Sequence, residues 1–107
     1  MFTVEYYVEP GGTNLVAEWL AELPNPRTFS RITDRIERLE LGNFGDHKSV
    51  GEGVWELRLN FGPGYRVYYT RVGLTVVLLL GSGTKASQKR DIRRAIHNKT
   101  EYEGRDE

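Results

Sequence analysis

Three β-type runs, residues 54–61, 65–72 and 74–80, follow one another with little between them but turn residues, Gly62-Pro63-Gly64 and then the pair around Val72-Gly73. Runs spaced this closely, with Gly and Pro between them, read as an antiparallel meander. Alternation along the first run sends Trp55, Leu57, Leu59 and Phe61 to one side and Glu56, Arg58 and Asn60 to the other. In the second run Tyr65, Val67 and Tyr69 alternate with Arg66, Tyr68 and Thr70, so pairing through the turn places Arg58 and Arg66 on one face. Like charges so placed repel unless an anion or a carboxylate bridges them, and Glu56 is the nearest candidate. The third run, Val76-Val77-Leu78-Leu79-Leu80, is apolar on both faces, which predicts a strand inside the sheet and covered on both sides.

Upstream, residues 3–8 are rich in β-branched and aromatic types and stop at Pro10-Gly11-Gly12, the pattern of a first strand. Asn14 then caps a helix in which Leu15, Val16, Trp19, Leu20 and Leu23 recur at helical spacing up to Pro24. Asn25-Pro26 starts a second helix, with Phe29, Ile32, Ile36 and Leu39 as its stripe and Gly42 as its stop. Two helices so joined form a hairpin across the sheet. Residues 42–53 are a loop holding a short strand near 48–50, and residues 87–98 a last helix whose apolar side is only Ile92, Ala95 and Ile96. The expected class is α+β: an N-terminal strand, a helical hairpin, an antiparallel meander of three or four strands and a C-terminal helix. One domain spans 1–107, with residues 100–107 a frayed polar tail.

The chain of 107 residues contains no cysteine, which fits a reducing, cytoplasmic compartment, and its longest apolar run is too short to span a bilayer. A formal net charge of zero conceals an uneven layout. Residues 1–26 hold four glutamates and no Lys or Arg, whereas residues 85–99 hold Lys85, Lys89, Arg90, Arg93, Arg94 and Lys99 against Asp91 alone. A basic region of that kind meets phosphates even in a neutral protein. In the second helix Arg27, Arg31, Arg35 and Arg38 also recur at helical spacing, but Asp34, Glu37 and Glu40 interrupt them, so they read as a solvated, salt-bridged face. The Gly81-Ser82-Gly83-Thr84-Lys85 segment superficially suggests a nucleotide-binding loop; its spacing is wrong for one, and it reads as a strand-to-helix turn bearing a lysine.

Taken together, Val54-Trp55-Glu56-Leu57-Arg58, Gly62-Pro63-Gly64-Tyr65-Arg66-Val67-Tyr68-Tyr69, the apolar strand and Lys85-Ala86-Ser87-Gln88-Lys89-Arg90-Asp91-Ile92 resemble the addiction-module killer proteins related to HigB. These are a branch of the RelE/ParE toxins. The family's usual Gly-Gly-Asp-Lys before the last helix is here Ser82-Gly83-Thr84-Lys85, so the lysine is kept and the aspartate is not.

The resemblance implies a RelE-like fold and a type II toxin that cuts messenger RNA on the ribosome, with no metal or other cofactor. It implies as partners the ribosome, the messenger RNA and an antitoxin, expected to be a helix-turn-helix protein encoded beside it. Cleavage of that kind requires a ribose 2′-hydroxyl to lose a proton, the five-coordinate phosphorus to be stabilised and the leaving 5′-oxygen to be protonated. Arg66 is the first candidate for the middle task, with Arg58 and Lys85 beside it. Glu56, Tyr68 and His97 are candidates for proton transfer, and Lys89, Arg90, Arg93 and Arg94 for contacts to RNA. Two alternatives stand beside this reading: a ParE-like toxin that binds DNA gyrase without cutting RNA, and an antitoxin-binding module without toxicity.

Overall fold

The computed structural model describes residues 1–106 as a five-stranded mixed sheet with helices on both faces, an α+β arrangement. The elements are β1 (Thr3–Tyr6), α1 (Leu15–Ala21), α2 (Pro26–Arg38), β2 (His47–Gly51), β3 (Val54–Leu59), β4 (Tyr65–Val72), β5 (Val76–Thr84) and α3 (Gln88–Glu103). The spatial order is β1-β5-β4-β3-β2. The last four strands form an antiparallel meander, and β1 lies parallel to β5 at its edge.

Local chemistry places the helix starts. The Asn14 side chain accepts the Ala17 N–H at 3.1 Å and opens α1; the Asn25 side chain accepts the Arg27 N–H at 2.9 Å with Pro26 in the first helical position. These caps satisfy amides that have no partner within the helix. After α2 a short 3-10 turn, Leu39–Leu41, ends at Gly42, whose φ of 77° lies in the left-handed region that favours glycine.

The sheet separates two cores. Val16, Leu20, Ile32, Ile36 and Leu39 from the helical side pack on Leu57, Leu59, Val67, Tyr69, Val77 and Leu79. On the opposite face Val54, Tyr68, Leu78 and Leu80 pack with Tyr7 and with Ala95 of α3. As expected from its double-sided apolar pattern, β5 is covered on both faces.

Three expectations need correction. First, β5 does not end at Leu80: it continues through Thr84, because β4 keeps pairing with it past a bulge at which the register jumps from Leu79 to Gly81. The Gly-Ser-Gly-Thr segment is therefore strand, stabilised by its neighbour rather than by its own propensity. Second, α3 runs to Glu103 and a 3-10 turn follows at Gly104–Asp106, where a frayed tail was expected. The end is fastened: Tyr7 Oη donates to Glu101 at 2.7 Å, and Arg105 donates to the Val8 carbonyl. Glu107 lies outside the described residues. Third, the arginines of α2 form no ion pair with Asp34, Glu37 or Glu40 among the described residues. Arg35 instead donates to the carbonyls of Arg58, Phe44 and Asp46, and Arg31 lies over the Phe61 ring at 3.6 Å.

No helix among the described residues is long and apolar enough to cross a membrane.

Candidate functional site

The register brings Arg58 and Arg66 directly opposite each other on β3 and β4, and Glu56 opposite Tyr68. Alternation puts all four on the face covered by α3, so a polar patch interrupts that face's apolar core. Glu56 is 1% exposed, Arg66 6% and Tyr68 0%. Charged groups at such depth are found where they are paired.

The pairing is incomplete. Arg66 Nε lies 3.7 Å from Glu56 Oε1, too far for a hydrogen bond, while Arg66 Nη1 donates to the Tyr65 carbonyl at 3.1 Å. Glu56 Oε2 accepts from the Gln88 side chain of α3 at 2.6 Å. Glu56 Oε1, Arg66 Nε and Tyr68 Oη are buried without a hydrogen-bond partner, three of the four such side-chain atoms among the described residues. Arg66 Nη2, which is not among those buried atoms, makes no hydrogen bond among the described residues. Unsatisfied buried polar atoms cost stability, and three of them cluster at this one spot, which makes it the candidate site.

Of the two arginines, Glu56 therefore pairs with Arg66 and does not bridge to Arg58. Arg58, half-exposed, has its own carboxylate: its Nη2 meets Asp46 Oδ1 at 3.0 Å, and Asn60 donates to Asp46 Oδ2 at 2.7 Å. Hydrogen bonds from Arg58 and Asn60 hold the Asp46 carboxyl below the usual carboxylate range. Asp46 came from a loop the sequence left unassigned, twelve residues from Arg58, and no local pattern announces it.

Lys85 reaches the same end of the sheet through the backbone. Its N–H donates to the Gly64 carbonyl at 2.8 Å, and a side chain at Gly64, where φ is +79°, would press on both the Arg66 guanidinium and Lys85 Cβ. Lys89, Arg90 and Arg93 continue the cationic surface from Lys85 along α3, all exposed, and Arg94 is exposed on the next turn.

The first turns of α3 are held down by polar bonds. Ser87 Oγ and Asp91 Oδ2 are 2.5 Å apart, and Asp91 is buried over Gly83, where a β-carbon would collide with its carboxylate. The Thr84 N–H points at Ser87 Oγ, 3.4 Å away. Thr84, just ahead of this helix, carries no carboxylate, and the structure places one, Asp91, against the end of β5. Further along, Asn98 donates to the Leu80 carbonyl at 2.9 Å. These polar anchors are what a narrow apolar stripe lacked, and sequence reasoning missed them.

Two proton-transfer candidates do not fit. Burial, followed by the charges of Glu56 and Asp91, pushes the Tyr68 phenol well above its ordinary pKa, and its oxygen is sealed from solvent. His97 is exposed; six residues past Asp91 it lies about 240° around α3 from the residue that faces the sheet. It is not brought to Arg66. His47 is equally removed, with Nδ1 2.8 Å from the Gly45 carbonyl.

No protein-family profile matches the chain. A protein of Haemophilus influenzae described as uncharacterized is 48% identical over 77 residues, covering 72% of this chain and 78% of its own length. Identity at that level over most of both chains means a common fold, and this chain belongs to the same family as that Haemophilus protein.

Proposed function

We propose that this protein is the toxin of a type II toxin–antitoxin module, RelE-like in fold and HigB-like in its motifs. In this reading it cuts messenger RNA on the ribosome, in the cytoplasm, without a metal, and is neutralised by an adjacently encoded helix-turn-helix antitoxin. The chain order of strand, two helices, antiparallel meander and helix supports the reading, as do the motifs that carry the resemblance.

The observation that carries it is Arg66. Its guanidinium is buried beside Glu56, lacks a full set of partners, and lies against Gly64 at the strand end where Lys85 also arrives. A planar fork held there supplies hydrogen bonds to the non-bridging oxygens of a phosphate as negative charge builds on them. Lys85 adds a point charge, and Lys89 and Arg93 hold the flanking phosphates. Arg58, tied to Asp46, fixes the neighbouring strand rather than touching substrate. Glu56 orients Arg66. No group is assigned as acid or base.

The test is induced expression with mapping of transcript 5′ ends, comparing wild type with Lys85→Ala, which is exposed, and Arg66→Lys, which keeps charge but loses the fork. New ends in the wild type, reduced about tenfold or more in each variant, are expected on the scale of lost transition-state hydrogen bonds. Identical ends in all three would remove Arg66 and Lys85 from the chemistry.

The sealed Tyr68 and the displaced His97 favour a second reading, a toxin of the ParE kind that binds DNA gyrase. Intact transcripts with DNA-damage signalling would select it. Harmless overexpression with retained antitoxin binding would select a non-toxic binding module.

A further inference from the structure

We infer that the last stretch of β5, from Gly81 to Thr84, is a docking edge for an extended acidic segment of a partner protein, which adds to the sheet as a strand where β1 stops. The inference does not depend on the nuclease reading.

β1 covers the outer edge of β5 only as far as Leu79. Its register ends at Tyr6 opposite Leu79, and the last backbone bond is from the Tyr7 N–H to the Leu79 carbonyl at 2.8 Å. β5 continues past that point, paired with β4 alone. The bond from the Lys85 N–H to the Gly64 carbonyl sets the alternation: Gly81 and Gly83 aim their backbone groups at β4, and Ser82 and Thr84 aim theirs outward. Thr84 turns its N–H toward Ser87 Oγ, which leaves the N–H and carbonyl of Ser82 on an open edge. Such an edge is a template for another strand.

A cleft of about 290 Å³ runs along this edge, with Leu15 and Trp19 of α1 on one side and Arg90 and Arg94 of α3 on the other. Successive side chains of an added strand point to opposite faces, so one meets Leu15 and Trp19 and the next meets the two arginines. The fitting sequence alternates apolar and acidic residues. The charge is available: Arg94 has no ion pair among the described residues, and Arg90 has only Asp91, at 3.7 Å. Gly81 leaves the α3 side of the edge open, whereas at Gly83 that side holds the buried Asp91 carboxylate, which is already engaged with Ser87, so the acidic side chains of the added strand meet the exposed Arg90 and Arg94 beyond it.

The experiment uses the full chain extended at its C-terminus by a Gly/Ser linker of about 15 residues and the strand Glu-Val-Glu-Val-Glu. Arg105, close to the C-terminus in sequence, donates to the Val8 carbonyl just beyond β1, and a linker of that length presents the strand at roughly millimolar effective concentration. Amide exchange at Ser82 is the readout, with exchange at Leu57 reporting global stability. The Ser82 amide is expected to slow about tenfold or more with the acidic strand, at unchanged Leu57 exchange, an effect of local protection. The slowing should vanish with Lys-Val-Lys-Val-Lys, with Glu-Val-Pro-Val-Glu, which lacks the central N–H, and in the Arg90→Glu/Arg94→Glu variant. Unchanged Ser82 exchange with the acidic strand, or equal slowing with the lysine strand, would overturn the proposal. In a parallel arm with the untethered protein, protection of Ser82 by oligouridylate would assign the cleft to nucleic acid and overturn it too.

Discussion

The two faces of the sheet are built on different terms. Beneath α1 and α2 the buried side chains of β3 and β4 are apolar or aromatic, and Leu57, Val67 and Tyr69 are closed off with nothing polar among them but the Tyr69 hydroxyl, whose pKa burial raises to about 12. Beneath α3 the apolar half around Leu78, Leu80 and Ala95 gives way to Glu56, Arg66 and Tyr68. The first face is a packing solution. The second buries charge that packing does not need, because an ion pair at such depth is often worth no more than a well-fitted apolar pair, while its half-broken form is costly. On the proposed function, that difference sets apart the face on which Arg66 meets phosphate.

The largest expected effect separates the faces. Arg66→Met leaves Glu56 buried without its cation and is expected to lower unfolding free energy by about 4 kcal/mol in urea, the scale of an uncompensated buried charge. Next, Leu57→Ala on the packed face should cost about 3 kcal/mol from lost transfer energy and a cavity, while leaving the arrangement at Arg66 intact. If Leu57→Ala altered transcript cleavage at equal folded fraction, the faces would not be separable. Gly83→Ala pushes the Asp91 carboxylate, and with it the first turns of α3, off β5; a loss of about 2 kcal/mol is expected, the ordinary scale of overpacking. Faster amide exchange at Asn98 would show that the helix lifts as a unit.

The smallest effect is electrostatic. The Asp46 carboxyl has a lower pKa folded than unfolded, so its bonds to Arg58 and Asn60 contribute fully at neutral pH. That contribution is lost as pH falls through the ordinary carboxylate range, about 4, toward the depressed folded value. NMR titration should show the Asp46 carboxyl protonating at lower pH in the wild type than in Arg58→Ala. An unchanged midpoint in Arg58→Ala would mean that Arg58 does not hold the carboxylate.

What the sequence showed and what it hid follow from the range of the interactions. The meander and both early helices were legible because period-2 and period-3.6 patterns and the asparagine caps act over a few residues. The strand pairing Arg58↔Arg66 was legible for the same reason, through the Gly62-Pro63-Gly64 turn. The Asp46 partner of Arg58, the β5 extension beyond Leu80 and the seating of α3 were not. Each depends on contacts between residues distant in the chain, such as Gln88 with Glu56 and Asn98 with Leu80. Alternation identified the face bearing Arg66 and Tyr68 but not its cover, so groups read as available for proton transfer turned out to be sealed.

On the proposed function the Glu56–Arg66 pair is kept for what Arg66 does and not for stability. Urea unfolding of the Glu56→Leu/Arg66→Met double variant tests it most directly. Replacing both members by apolar side chains removes the desolvation cost along with the attraction, so stability is predicted to return to within about 1 kcal/mol of wild type, or above it. A double variant as unstable as Arg66→Met alone would make the pair a structural element, kept for stability.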